Sequence, residues 1–322
     1  MFRPTWTLSL MTLLTATALA ACGDSGGTSD TDATASETNP TSTATDGSSG
    51  GSGSSGDTPT TGGGGDTAAD GEACGSNDDC ASVACEKYRD AEAGTCVAAP
   101  PGGATRVTGT IIDFTTGAAA GSVDLKVVGA LAVLTDPVNA KAVAMGTSDA
   151  SGKVDFVSAA PVKEGIGLIG LVTGGSFYLT ATGLASPGPG NAYGPMTTAR
   201  DIWGVPSAKL TEWTTMLMAD ADVAASLPLG EKGGVIGLVR EGATGAAKAG
   251  AVIVPVAGTT GAKIRYLADD GMSFNSTATG TSGIFILLGP SVAEEFSVEG
   301  SPDVTGKAGS APNVAFVMTL NL

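Results

Sequence analysis

"VTGTIIDFTTGAAAGSVDLKVVG", residues 107–129, returns in altered form as "VIGLVREGATGAAKAGAVIVPVAG", residues 235–258. Gly109 aligns with Gly237, and Thr116-Gly117-Ala118-Ala119 with Thr244-Gly245-Ala246-Ala247, at one constant offset. Farther on, "TSDASGKVDFV" (147–157) and "ATGTSGIFILL" (278–288) each place Ser-Gly ahead of an apolar run. Landmarks repeated in order at fixed spacing mark an internal duplication, here of a unit of roughly 90–100 residues.

Each copy reads as β. Val154 and Phe156 alternate with Lys153 and Asp155, and Phe177, Leu179 and Ala181 alternate with Tyr178, Thr180 and Thr182. Val314, Phe316, Met318 and Leu320 share one face of a last strand. Turns such as "SDASG" (148–152) and "ADDG" (268–271) punctuate these runs at the spacing of a sandwich. One stretch breaks the period. In "PSAKLTEWTTMLMADADV" (206–223), Ser207 stands where a cap belongs, and Leu210, Trp213 and Leu217 follow at i, i+3 and i+7. That spacing predicts a helix, read as a connector packed on a sandwich face or between the copies rather than a partner-docking element.

The duplicated unit resembles the carboxypeptidase regulatory-like domain, a transthyretin-like β-sandwich. Gly109 and Ile111, Gly121 and Val123, and Asp149, Gly152 and Phe156 carry the pattern in the first copy; Gly237 and Val239, Gly250 to Val252, and Gly283 with Phe285 carry it in the second. Gly280 stands where the second copy lacks the turn Asp. The resemblance implies turns and packing rather than chemistry. In carboxypeptidases the module is an accessory to a His-bearing zinc domain, and this chain of 322 residues has no His.

That absence removes Ser-His-Asp and Cys-His catalysis and every His-bearing zinc site. A formal net charge of -16 repels phosphate backbones and anionic headgroups, so nucleic acid is excluded as a partner and membrane contact requires a hydrophobic device. The N-terminus offers one. Arg3 precedes a diluted apolar run that ends in Leu19-Ala20-Ala21-Cys22, which resembles the lipobox of bacterial lipoproteins. The resemblance implies that Cys22 is acylated after removal of the preceding segment. Gly23, rather than Asp, following the cysteine resembles outer-membrane sorting. Cysteine parity agrees, since five cysteines minus a lipidated one leave an even four.

Residues 23–71 contain no large apolar side chain and no Lys or Arg, so they are expected to stay disordered, with an r.m.s. span of roughly 40 Å as a flexible coil. Cys74, Cys80, Cys85 and Cys96 follow at Cys-x5-Cys-x4-Cys-x10-Cys, without the Cys-x2-Cys pair of a zinc site. So small and polar a segment needs covalent staples. Its "NDDC" run resembles Dickkopf-like cysteine-rich modules. Three connectivities are open; Cys74 with Cys85 and Cys80 with Cys96 is the favoured one.

The expected architecture is therefore all-β: two tandem transthyretin-like or Ig-like sandwiches (104–206 and 233–322) with one short connecting helix (207–222). A cysteine-rich module (72–98), a lipidated linker (22–71) and a signal peptide (1–21) precede them. No catalytic residue, metal site or cofactor is expected. Asp269 and Asp270 sit in a turn, Asp220 and Asp222 near a helix end, and the Gly-rich runs lack the Lys of a phosphate loop. The expected function is a non-catalytic, lipid-anchored spacer or interaction module of the outer membrane, on its surface or periplasmic face. Its partners are the membrane, through the N-terminal lipid, and an unidentified protein or glycan. A glycan-binding alternative would use Tyr193, Trp203 or Trp213 as a stacking platform; a His-independent enzyme ranks last.

Overall fold

The computed structural model describes residues 67–322 except 90 and 243. The expected signal peptide, Cys22 and the expected linker as far as residue 66 lie outside the described residues. The described residues belong to one compact unit.

The chain opens with a small sheet of β1 (Ala73–Cys74), β2 (Cys85–Glu86) and β3 (Gly94–Cys96), in the order β1-β3-β2. Disulfides join Cys74 to Cys85 and Cys80 to Cys96. All four cysteines are buried and form a core of their own with Ala68 packed against it, in place of the large apolar side chains this segment lacks.

The first copy supplies β4 (Arg106–Asp113), β5 (Asp124–Gly129), α1 (Ala130–Thr135), β6 (Ala142–Thr147), β7 (Lys153–Val157), β8 (Leu168–Thr173), β9 (Thr180–Ala185) and β10 (Met196–Gly204). The connecting helix α2 (Ser207–Leu217) follows. The second copy supplies β11 (Val235–Arg240), β12 (Ile253–Pro255), β13 (Lys263–Leu267), β14 (Phe274–Asn275), β15 (Ile284–Leu288), β16 (Glu295–Val298), β17 (Ser301–Lys307) and β18 (Ala315–Asn321).

The duplication is visible bond by bond. β4 pairs antiparallel with β7 and parallel with β10, just as β11 pairs antiparallel with β15 and parallel with β18. In the "TGAA" turns, Gly117 N–H donates to Asp113 O and Gly245 N–H to Glu241 O. A buried hydroxyl repeats as well. Ser148 Oγ accepts from Val123 N–H and donates to Ala120 O, while Thr279 Oγ1 accepts from Ala251 N–H and donates to Lys248 O. The repeated glycines are packing requirements: a Cβ on Gly237 would enter the ring of Phe285 opposite it, and one on Gly109 would strike Ala199 O. Gly283, at φ +68°, closes the turn that Gly152 closes in the first copy; without the turn Asp, the second copy takes Asp269 Oδ1 as acceptor for Thr281 N–H.

The copies then fuse. β18 pairs with β11 on one edge and with β9 of the first copy on the other, giving a nine-stranded sheet, β14-β13-β15-β11-β18-β9-β8-β5-β6. Short sheets β10-β4-β7 and β12-β16-β17 complete the two sandwiches. Because β18 is covered on both faces, Ala315, Phe316, Val317 and Met318 are all buried, beyond the single face that alternation alone indicates. α2 lies between the copies. Leu210, Trp213 and Leu217 are buried against Ile112, Phe114 and Trp203 of the first and Ile236, Ile286 and Leu288 of the second. The helix differs from expectation at both ends. Pro206 is the N-cap residue and Ser207 the first helical one, because Phe177–Pro206 bridging and a Ser207 N–H bond to Ser176 O fix the entry. The helix stops at Leu217, before a turn in which Asp220 reaches Arg265.

The duplicated hydroxyl gives the first test. Ser148→Ala and Thr279→Val each leave two backbone groups without a partner, and each is expected to lower stability by about 1–3 kcal/mol in urea denaturation. A loss at one site and none at the other would mean the repeat is not a shared structural device.

Candidate functional site

β9 and β18 stay paired for three residues each, Thr180–Thr182 beside Ala315–Val317, and then part. A cavity of about 720 Å³ opens between them, lined by Gly183 and Leu184 on one strand and Met318 and Thr319 on the other. A second cavity of about 530 Å³ lies against the same gap and shares Gly183, Leu184, Val317, Met318 and Lys307 with the first.

Around the larger cavity three parts of the chain converge through charge. A bulge in β10 between Ala199 and Asp201 re-aims the strand, so that Asp201 lines the cavity. Asp201 Oδ2 lies 2.8 Å from Nη1 of Arg240 on β11, and Oδ1 lies 3.5 Å from Nε of Arg89 in the disulfide module. Both guanidiniums also approach the Trp203 ring, at 5.9 Å for Arg89 and 5.6 Å for Arg240, and Phe114 meets that ring edge-on. Arg240 Nε donates to Asn321 Oδ1, and Arg89 Nη1 to Gly117 O. Lys307 completes the lining and forms no ion pair among the described residues. Three cations thus face one carboxylate at this cavity, in a chain of net charge -16.

A second clamp fixes the cysteine-rich module. Arg106 bridges Glu86 and Asp155, Tyr88 donates to Glu86 Oε1, and Lys153 Nζ stands 4.5 Å from the Tyr88 ring centroid. Burial, reinforced by the neighbouring Glu86, pushes the Tyr88 phenol well above its usual range, so it stays a donor. Asn77 Nδ2 donates to Met196 O and Thr198 Oγ1 to Cys85 O, tying the module to β10.

The acidic residues have structural partners. Asp270 accepts from Met272 and Ser273 N–H, Asp149 from Ser151 and Lys153 N–H, and Asp79 from Gly75 and Ser76 N–H. Asp220 is paired with Arg265 rather than solvated. These contacts hold all four carboxyls below the usual range: Ser151 above all for Asp149, Met272 for Asp270, Ser76 for Asp79 and Arg265 for Asp220. Among the described residues, the Cys/Asp/Glu cluster with metal-ligand proximity is Cys74, Cys80 and Cys96, whose sulfurs are committed to disulfides.

The three aromatic candidates do not meet as a stacking surface. Trp203 is 3% and Trp213 2% exposed, both in the core beside Phe114, because the fusion of the copies covers the face on which they lie. Tyr193 is half-buried in a separate loop, its hydroxyl donating to Glu164 O. Neither the cleft nor the Arg89–Asp201–Arg240 cluster is signalled by local pattern, since its members belong to three segments.

No protein-family model matches this chain, and no curated protein matches it. Among solved structures, it is similar to the shaft pilin SpaA of Lactobacillus rhamnosus GG, at 12% identity over 68% of this chain and 97% of that one, with a TM-score of 0.22. The group B streptococcus pilus 2b backbone protein is 12% identical over 39% and 48%, TM-score 0.23. The Bacillus anthracis TIE protein is 9% identical over 68% and 34%, TM-score 0.22. Scores this low carry no assignment of overall fold or role.

Two outcomes test the clamps. Asp201→Ala leaves two guanidiniums facing each other in a largely buried place and is expected to cost about 2–4 kcal/mol of stability. Combined with Arg240→Ala, the loss should fall short of the sum of the single losses; strict additivity would show that no clamp exists. The lowered carboxyls bind protons more readily in the unfolded chain, so their stabilisation is present above a pH of about 4 and lost as pH falls through their folded values. Asp149→Asn should therefore flatten the acid limb of a stability–pH curve, measured by urea midpoints.

Proposed function

We propose that this chain is a non-catalytic, lipid-anchored protein of a bacterial outer membrane, whose folded body acts as a spacer and interaction module. The observation that carries the reading is the way the cysteine-rich module, next in the chain after the expected linker, is fastened to the body. Ala68 pairs with Cys80, two disulfides staple the module internally, and the Arg106 bridge and the Arg89–Asp201 contact hold it to the sandwiches. A pull on the N-terminal side meets a stapled module fastened to the fused sheets by ion pairs and hydrogen bonds, an arrangement suited to display on a lipid tether.

Three further features support the reading. Cys22 lies in the lipobox-like Leu19-Ala20-Ala21-Cys22, separated from the body by a long polar stretch. Each buried acyl methylene contributes about 0.8 kcal/mol, so several chains offset the repulsion between an acidic protein and anionic headgroups. No helix among the described residues is long and apolar enough to cross a membrane. The carboxylates that offered acid–base chemistry hold turns or pair with Arg265, and there is no His to serve as a base. Burial of Trp203 and Trp213 in the core favours the spacer reading over a glycan-stacking platform.

The test is Cys22→Ala in the full-length chain, expressed in a bacterium fed an alkyne fatty acid. The wild type is expected to take up label and sediment with outer membranes, and the variant to lose both properties. Equal labelling or equal sedimentation of the variant would end the lipoprotein reading.

A further inference from the structure

We infer that the gap between β9 and β18 is a binding site for an extended, carboxylate-bearing peptide segment of a partner protein, taken in as an added strand. This deepens the interaction-module reading and rests on it.

The geometry supplies a seat. Beyond Thr182 and Val317 the facing edges of the two strands have no ladder partner, while their far edges remain paired with β8 and β11. Strand edges of this kind offer backbone donors and acceptors at the repeat an extended chain presents, about 3.3 Å per residue. There is room for it: the two cavities meet at Gly183, Leu184, Val317 and Met318, and a Cβ built on Gly183 meets nothing within 4 Å.

The two mouths of the gap differ, and the difference selects the guest. One carries Arg89 and Arg240 against Asp201, with Thr244 and Gly245 in its lining, and Lys307 stands where the two meet. The other is lined chiefly by apolar side chains, among them Leu134, Ile166, Leu168, Ile169 and Phe316. Successive side chains of a strand point to opposite faces. A guest with acidic residues at every second position and apolar residues between them would satisfy both mouths at once. Its carboxylates would sit on Arg240 and Lys307, and its apolar side chains against Ile169 and Phe316. An acidic glycan would match the cations but has no backbone amides for the open edges, so the edges favour a peptide.

The test uses the full-length chain in detergent and a fluorescein-labelled decapeptide alternating valine and glutamate, followed by fluorescence anisotropy. Saturable binding is expected, weakened by added salt and absent for the valine–lysine counterpart. Lys307→Glu is the main variant, because Lys307 is exposed and its replacement breaks no ion pair; it should weaken binding about tenfold or more. Hydrogen exchange should show new protection at residues 183–185 and 318–320. Binding without that protection, equal affinity for Lys307→Glu, displacement by polygalacturonate or inorganic phosphate as complete as by the unlabelled peptide at equal ionic strength, or no binding at all would each overturn the proposal. Since the probe is read on purified protein, its failure leaves the anchoring result intact, and failure of anchoring leaves the binding result readable.

Discussion

Ala315, Phe316 and Val317 pair in parallel with Thr180, Ala181 and Thr182, and that short ladder turns two sandwiches into one body. It also places the first half of β9, Thr180–Thr182, where both edges and both faces are covered, so every polar group there must find a partner inside the protein. The strand meets this demand with threonine. Thr180 Oγ1 accepts from Val205 N–H and Thr182 Oγ1 from Trp203 N–H, which ties β9 to the chain end of β10 in the facing sheet. Ser or Thr is therefore required at these two positions for a reason unrelated to β propensity. An aliphatic residue of the same shape would leave the two donors buried and unpaired.

The same joint decides how apolar surface is shared. The core of the second copy includes Val128, Val133, Leu171 and Ala181 from the first, with Val133 brought in by α1. A separate cluster, centred on Phe114, Trp203 and Trp213, is formed by both copies together with α2. Two of the three sandwich clusters span the duplication and the third lies within the first copy, so each copy completes part of its core with residues of the other. α2 matters here as a wedge that fills the angle between two sheets, a role consistent with its single buried stripe and polar remainder.

Much of this was legible in the chain itself. The duplication rests on local landmarks, Gly109 with Gly237 and the two "TGAA" turns, and turns are encoded by neighbours in sequence. So is the stripe of Leu210, Trp213 and Leu217. What could not be read is what depends on residues far apart. The β9–β18 pairing joins positions more than a hundred residues away, and nothing in either strand names its neighbour. The Arg89–Asp201–Arg240 cluster draws one residue from each of three segments, and a bulge at residue 200, invisible in the alternation pattern, re-aims the strand that carries Asp201. Trp203 and Trp213 failed as surface candidates for the same cause: a face that is outer in one sandwich becomes inner when two are fused.

Divergence between the copies follows one physical thread. In the first, β6 extends the sheet through β5; in the second, the strand at the same place in order, β13, pairs instead with β15 in the opposite sheet. Moving β13 widens the sheet that holds β11 and β18, and that widened sheet is the one whose outer face carries α2 and Trp203. The move brings Leu267 of β13 and Phe274 of β14 beside Ile286 in the cluster that also buries the helix. The strand hop thus supplies the apolar breadth that the joint between copies needs. It leaves β18 with full pairing on one edge and three residues of pairing on the other, and the gap beyond Val317 is the geometric remainder of fusing two twisted sheets that cannot stay in register for longer.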